Sequence, residues 1–277
     1  MTGRTIVLTG ASDGIGAAAA RQLAASDHRL ILVGRSPEKT KAVADDTGAE
    51  YFFADFARLD DVRELAAKLT DAVGADGIHV LANNAGGIFG DRTPTVDGFE
   101  KTLQVNHLAP FLLTNLLMPT LLASKAAVIN TSSVGHRLFG HIDVDDLDNS
   151  KKFSANKAYG DAKLANVLFT KSLHTKFHPD GLSSVAFHPG TVQTNFASDS
   201  SSLMRLVYRS FLGRLLLTST EEGGAILRWF IEGTPDETWF SGAYYDERTL
   251  SSKTNPQVDD PALAEALWQR SAELVGV

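Results

Sequence analysis

A tyrosine and a lysine four residues apart, Tyr159 and Lys163, form the pair in this sequence best suited to proton chemistry. If their segment is helical, the two side chains share one face, with Cβ atoms about 5–6 Å apart. Tyrosine has a reference pKa of about 10 and is a poor base at neutral pH, but a nearby ammonium group favours the tyrosinate. The spacing is therefore compatible with a tyrosine that exchanges protons, although the same pair on a surface helix would have no chemical role.

A glycine-rich turn, Thr9–Gly16, follows a short apolar run and precedes a helical segment. Glycines in such a turn let the backbone approach a pyrophosphate closely, and the N-terminus of the next helix offers free N–H groups and a positive dipole end. The strand–turn–helix context distinguishes this segment from an ordinary glycine-rich turn. It predicts a dinucleotide site, with the spacing Gly-x-x-x-Gly-x-Gly.

Short apolar runs alternate with longer helical segments along the chain. The predicted strands are Thr5–Leu8, Leu30–Val33, Tyr51–Phe53, Ile78–Leu81, Ala127–Ile129 and Ser184–Phe187, and the predicted helices include Ile15–Ser26, Leu59–Val73, Leu108–Leu122 and Ala158–Phe177. Three of these strands are almost wholly apolar, which is typical of parallel strands buried on both faces. The pattern predicts an α/β fold: a single domain over residues 1–277, with a Rossmann-type doubly wound parallel sheet and helices on both faces.

Six features in a fixed order bear a resemblance to a known family. They are the glycine turn, Asn83–Gly86 (Asn-Asn-Ala-Gly), Asn106, Ser133, the Tyr159/Lys163 pair, and Pro189-Gly190 followed by Val192 and Thr194. The sequence resembles a short-chain dehydrogenase/reductase along nearly its whole length. Val105–Leu108, Lys163–Asn166 and the ending Leu267–Gly276 are most similar to the retinol-dehydrogenase-like branch. The interval between the serine and the tyrosine is long, because Phe139–Ala155 forms a loop that this branch also has.

The resemblance implies four catalytic residues. Tyr159 would donate a proton to a carbonyl oxygen while hydride arrives from a nicotinamide, and Lys163 would also bridge the nicotinamide ribose hydroxyls. Ser133, chosen over Ser132, would hydrogen-bond the substrate oxygen and stabilise developing charge. Asn106 would hold a water on a proton relay from the lysine to solvent. Both serines could instead cap the end of the strand.

The end of the second predicted strand bears on the choice of cofactor. An acidic residue there would bind a ribose 2′-hydroxyl, but the chain has Gly34 and then Arg35, which favours the 2′-phosphate of NADP(H) over NAD(H). Asp13 opposes this prediction, because NADP-preferring relatives often have a basic residue there. By resemblance, Asp55 would bind the adenine amino group, or it caps the next helix. The full predicted cofactor set is Gly10, Ser12, Asp13, Gly14, Ile15, Gly16, Arg35, Asp55, Phe56, Asn83, Ala85, Gly86, Tyr159, Lys163, Pro189, Gly190, Val192 and Thr194.

Composition excludes several other classes of protein. The chain has no cysteine, which excludes disulfides, thiolate nucleophiles and cysteine-ligated metals. A net charge of −7 gives no general basic field for nucleic acid or anionic lipid. The first apolar run is too short for a signal sequence. We therefore expect a cytoplasmic enzyme with a small-molecule substrate, no metal, no nucleic-acid partner and no integral membrane segment; a homo-oligomer is left open.

The substrate is predicted only by class. Segment 197–217 contains an apolar stripe at Leu203, Leu206, Val207 and Phe211, and we expect either a substrate lid, a core helix or a membrane-surface helix there. A lid would favour a lipophilic aldehyde or ketone and the corresponding alcohol. Two alternatives stay open: a reductase of activated carbon–carbon double bonds, and a dinucleotide-binding regulatory protein without turnover.

Overall fold

The computed structural model describes residues 3–190 and 219–277, and within these ranges one eight-stranded sheet forms. The strand order is β3-β2-β1-β4-β5-β6-β7-β8. The strands are β1 (Thr5–Thr9), β2 (Arg29–Gly34), β3 (Glu50–Phe53), β4 (Val80–Asn83), β5 (Ala127–Thr131), β6 (Ser183–His188), β7 (Ala243–Asp246) and β8 (Thr249–Leu250). All neighbours pair in parallel except β8, which runs antiparallel to β7.

Helices connect the strands. They are α1 (Gly14–Leu23), α2 (Pro37–Thr47), α3 (Leu59–Val73), α4 (Lys101–Leu103), α5 (Ala109–Leu116), α6 (Met118–Ala123), α7 (Gly135–Leu138), α8 (Ala155–Phe177), α9 (Thr220–Glu232) and α10 (Pro261–Val275). A π-helical turn, Gln104–Leu108, joins α4 to α5.

The sheet is covered on both faces, which confirms the predicted doubly wound α/β architecture. Successive residues of β1 point to opposite sides, so that Ile6 and Leu8 enter one apolar core and Val7 enters the other. Helices α1, α2 and α9 cover the first core, and α3, α5, α8 and α10 cover the second. Burial on both faces explains why the central strands lack a polar alternation.

Some predicted boundaries were wrong. The helix predicted over Leu108–Leu122 is divided at Leu117, because Pro119 has no amide hydrogen with which to continue the backbone ladder. Strand β4 begins two residues later than predicted and extends to Asn83. The third predicted helix, Leu59–Val73, was placed correctly at both ends.

The strand order creates a crevice next to β1. The chain leaves β1 toward β2 on one side and returns to pair β4 on the other, and ligands of open α/β sheets bind beyond the carboxyl ends of strands at such a reversal. Most of the predicted site residues in the described ranges follow the carboxyl ends of β1 to β6, which lie along one edge, whereas Asn106, Tyr159 and Lys163 lie on helical segments. In the described part of the chain, none of the helices combines the length and the apolar character needed to cross a membrane.

Candidate active site

The glycine turn after β1 is packed closely against the end of β4. Gly10 has a φ of +67°, and a Cβ there would lie 2.7 Å from the Cα of Ala85. A Cβ on Gly16 would lie 2.3 Å from the carbonyl oxygen of Gly10. Neither position accepts a side chain, so the backbone and the N-terminus of α1 are left bare, as a dinucleotide pyrophosphate requires.

The other turn residues have structural partners. The carboxylate of Asp13 accepts a hydrogen bond from the amide of Gly14 at 2.8 Å and caps α1. Ile15 packs against the core on the α1 side, and Ser12 lies beside Gly34. Thus the turn also joins the ends of β1 and β2.

Thr9 connects β1 to the Asn-Asn-Ala-Gly segment. Its Oγ1 accepts hydrogen bonds from the amides of Asn84 at 3.0 Å and Ala85 at 3.1 Å. The side-chain amide of Asn84 donates back to the Thr9 carbonyl at 3.1 Å. Asn84, which the predicted cofactor set omits, therefore fixes the floor of the crevice.

Asn83 lies beneath the crevice rather than in it. Its Nδ2 donates to Thr114 Oγ1 and Asn130 Oδ1, both at 3.0 Å, and Asn130 donates to Thr170 at 2.9 Å. These buried hydrogen bonds tie β4 and β5 to α5 and α8, which cover the same face of the sheet. A cofactor contact at Asn83 would therefore involve its backbone.

Tyr159 and Lys163 share a buried face of α8. The helix begins at Ala155, and Ser154 caps it by accepting from the amide of Lys157 at 3.2 Å. The Nζ of Lys163 lies 5.6 Å from the centre of the Tyr159 ring, and the two residues are 2 % and 8 % exposed. Burial lowers the pKa of Lys163 to about 7. Its ammonium donates to the carbonyl of Thr131 at 3.1 Å, which holds it at the end of β5.

The two serines after β5 have different roles. Ser132 is buried and donates to the backbone carbonyl of Lys163 at 2.8 Å, so it anchors α8. Ser133 Oγ accepts from the amide of Gly135 at 3.1 Å. A Cβ on Gly135 would lie 3.4 Å from that oxygen and 3.1 Å from Tyr159 Cε1, so the serine and the tyrosine flank the same glycine. This arrangement supports the choice of Ser133 as the substrate-facing serine.

Asn106 lies in the π-helical turn and clamps the backbone that follows β4. Its Nδ2 donates to the carbonyls of Gly87 at 2.8 Å and Thr102 at 2.9 Å, and its Oδ1 accepts from the Gly87 amide at 3.1 Å. A Cβ on Gly86 would lie 2.5 Å from this Oδ1 and 3.2 Å from Lys163 Nζ. Gly86 therefore has no room for a side chain between the asparagine and the lysine.

At the β2 end of the crevice, the charged groups are exposed. Arg35 follows β2 and is exposed. Lys39 of α2 pairs with Asp13, Nζ to Oδ2, at 2.8 Å. Gly34 is closely packed, because a Cβ there would lie 2.1 Å from Thr40 Oγ1. The lysine was not predicted as a site residue, since only the fold brings it to the glycine turn.

The segment after β3 forms a tight turn. Asp55 Oδ1 accepts from the amide of Ala57 at 3.0 Å, but α3 itself is preceded by Arg58, so the aspartate caps this turn rather than the helix. Phe56 is a core residue whose carbonyl accepts from Gln104 at 3.2 Å.

Pro189 and Gly190 directly follow β6 and are buried, and Gly190 has a φ of +82°. Val192, Thr194 and the predicted lid over 197–217 lie outside the described residues.

Comparisons with known proteins show what this chain is similar to. A family model described as short chain dehydrogenase matches residues 4–204. A Streptomyces sp. (strain C5) protein with the name "Putative daunorubicin C-13 ketoreductase DnrU" is 40% identical over 283 residues, covering 100% of this chain and 94% of its own. Human retinol dehydrogenase 13 is 36% identical over 286 residues, covering 99% and 85%. A crystal structure of an uncharacterized Mycobacterium paratuberculosis protein superposes with a TM-score of 0.76 at 30% identity, covering 99% and 94%.

Proposed function

The chain belongs to the short-chain dehydrogenase/reductase family, in its retinol-dehydrogenase-like branch, and we propose that it reduces a lipophilic aldehyde or ketone with NADPH. That it is an oxidoreductase of carbonyl and alcohol groups follows from the family. The direction, the cofactor and the roles of the residues are our proposal. The observation that supports it best is the convergence of Ser133, Tyr159 and Lys163 at the end of β5.

In the proposed reaction, Tyr159 Oη donates its proton to the substrate carbonyl oxygen, which Ser133 Oγ holds by a hydrogen bond. A bound nicotinamide would supply hydride to the carbonyl carbon, so the C=O bond becomes CH–OH. Lys163 stabilises the tyrosinate that remains until solvent returns the proton. A three-unit decrease in a tyrosine pKa corresponds to roughly 4 kcal/mol, a plausible contribution from one cation beside a buried phenol.

The charges near β2 support NADPH over NADH. Arg35 follows β2 directly and is exposed, and its guanidinium would bind a 2′-phosphate through charge-assisted hydrogen bonds. Asp13 opposed this assignment in the sequence, but its carboxylate is paired with Lys39 at 2.8 Å, so its negative charge is offset. Arg35 and Lys39 together outweigh the charge of Asp13, so these three side chains carry a net positive charge that favours binding of an anion.

Two exposed apolar side chains in the segment that packs on α8 support a lipophilic substrate. Leu138 and Phe139, at the end of α7, are 59% and 47% exposed. A Cβ on Gly160 would lie 2.8 Å from the Cβ of Phe139, so Phe139 packs on α8 at the residue that follows Tyr159. The names of the relatives, a ketoreductase and retinol dehydrogenases, agree with carbonyl–alcohol interconversion.

The proposal is tested by NADPH oxidation with straight-chain aldehydes of increasing length, for the parent and for Phe139→Ser. We expect kcat/KM to rise with chain length in the parent and to fall in the variant mainly for the longer substrates. Phe240→Ser is the matched control, since this phenylalanine has a similar exposure, 55%, and precedes the amino end of β7, at the edge of the sheet opposite the crevice. No turnover of any carbonyl compound by a protein that binds NADPH would favour the regulatory alternative.

A further inference from the structure

A buried row of hydrogen bonds leads from Lys163 to the C-terminal helix. Lys163 Nζ and Asn166 Nδ2 both donate to the carbonyl oxygen of Thr131, at 3.1 and 3.3 Å. Asn166 Oδ1 lies 3.4 Å from Nδ1 of His107, and Nε2 of His107 lies 2.9 Å from the hydroxyl of Ser271 on α10. All five residues are buried, and the row ends on a helix that the catalytic residues do not occupy.

The Thr131 carbonyl determines the direction of the hydrogen bonds from Asn166 to Ser271. The Thr131 carbonyl can only accept, so Asn166 must present its NH₂ group to it and its oxygen to His107. The Nδ1 atom of His107 then carries the hydrogen, and its Nε2 atom accepts from Ser271. Burial lowers the pKa of His107 to about 4, so the ring is neutral at physiological pH, as this arrangement requires.

Aromatic packing fixes the histidine ring. Its centre lies 5.9 Å from that of Phe111 and 6.2 Å from that of Phe169, and Trp268 of α10 closes against both phenylalanines. A ring held in this way has little freedom to turn its Nδ1 away from Asn166.

We propose, on the basis of the proposed role of Lys163, that His107 is a positioning residue that sets the orientation of the Asn166 amide. A carbonyl oxygen has two lone pairs, and at Thr131 the amide and the ammonium fill both. If the amide turned over, its oxygen would lie beside the ammonium as a second acceptor. Lys163 would then be drawn toward Asn166, and its charged form would be stabilised by the new hydrogen bond. His107 therefore keeps the ammonium directed at Tyr159 and the cofactor.

Few titratable groups in the described part of the chain surround Lys163, so a change in its pKa reports on its hydrogen-bond partners. Gly86 lies on its β4 side, Asn106 on the side of the π-helical turn and Thr131 on β5; none of these can titrate. Among the described residues, Tyr159 on the same helix is a titratable group near it, with its ring centre 5.6 Å from Lys163 Nζ. The hydrogen bonds of His107 connect it to Lys163 through Asn166 and the Thr131 carbonyl.

The test compares two amide substitutions of His107. In His107→Asn the side-chain amide lies near the former Nδ1 and can still donate to Asn166. In His107→Gln the amide lies near the former Nε2 and reaches only toward Ser271. The midpoint of Lys163 is measured by NMR in protein labelled with ¹³C at the lysine ε-carbons and assigned with Lys163→Ala. We expect His107→Asn to keep the parent midpoint and His107→Gln to raise it by about one pH unit.

Equal midpoints in the parent and both variants, or equal shifts in both variants, would overturn the proposal, because packing alone would then account for the histidine. If the His107 variants do not fold, Asn166→Asp replaces them. An unchanged Lys163 midpoint in Asn166→Asp would also overturn the proposal. The titration needs no turnover, so a parent that fails to reduce carbonyl compounds contradicts the proposed function alone.

Discussion

At the Lys163 end of the crevice the polar side chains are buried and bonded to backbone atoms, whereas at the Arg35 end the charged side chains are exposed to solvent. Asn106 is fully buried, with three hydrogen bonds to backbone groups. Asp13 and Lys39, by contrast, are each about half exposed and bind one another. We expect the buried end to hold the reacting groups in place and the exposed end to set the affinity for the cofactor. Substitutions at the buried end should therefore cause large losses of turnover or stability, and those at the exposed end should cause smaller changes in cofactor binding.

The largest effect is expected for Tyr159→Phe, which keeps the ring and removes the proposed proton donor. General acid catalysis contributes about 10²–10⁴-fold, so turnover should fall by at least the lower figure while NADPH binding survives. The control is Tyr245→Phe, which removes a buried hydroxyl that accepts from the Phe240 amide at 3.0 Å. It should cost about 1 kcal/mol of stability and leave turnover intact. Similar kinetics for the two variants would contradict the assignment.

Gly86→Ala should have the next largest effect. Its methyl group would lie 2.5 Å from Asn106 Oδ1 and 3.2 Å from Lys163 Nζ, so these groups must move. Overpacking of this kind costs about 1–3 kcal/mol, and displacement of the lysine should also lower kcat. Gly87→Ala is the matched control, because its methyl group meets only Phe89, at 3.5 Å. Thermal unfolding and kcat are measured for both; parent-like behaviour of Gly86→Ala would show that the buried end is not rigid.

At the exposed end, Arg35→Ala should raise the KM for NADPH about tenfold, the loss expected for one hydrogen bond to a charged group. The KM for NADH should not change, since NADH has no 2′-phosphate. Introducing an acidic residue at Gly34 is a poor test of the same idea, because its Cβ would collide with Thr40. An unmodified protein that already prefers NADH would refute the cofactor assignment.

The smallest effect is expected for Lys39→Ala. The exposed ion pair with Asp13 contributes about 0–1 kcal/mol, so stability should hardly change. Without Lys39, the negative charge of Asp13 near the proposed phosphate position is no longer offset by this lysine, so NADPH binding should still weaken by a few-fold. Lys41→Ala is the control, because this lysine of α2 pairs with Asp45 at 2.6 Å, also in solvent. If both lysine variants bind NADPH equally well, Asp13 has no influence on the cofactor.

The sequence predicted the parts of the molecule that depend on local patterns. The glycine turn and the pair on α8 are both read from short spacings, and the buried strands from continuous apolar runs. Helix α2 was not predicted, since its buried side includes little more than Thr40, Val43 and Ala44. A local pattern gives no sign of a backbone acceptor such as the Thr131 carbonyl, or of a partner as distant in the chain as Ser271. These features arise only when strands and helices pack.

The central claim is that this crevice delivers hydride to a carbonyl carbon with Tyr159 as the proton donor. The most direct test is the reduction of a lipophilic α,β-unsaturated ketone with NADPH that carries two deuterium atoms at C4, with the product analysed by mass spectrometry and NMR. We predict an allylic alcohol with deuterium at the carbinol carbon, formed at least about 10²-fold more slowly by Tyr159→Phe. A saturated ketone with deuterium at the β-carbon would contradict the account and establish reduction of the double bond instead.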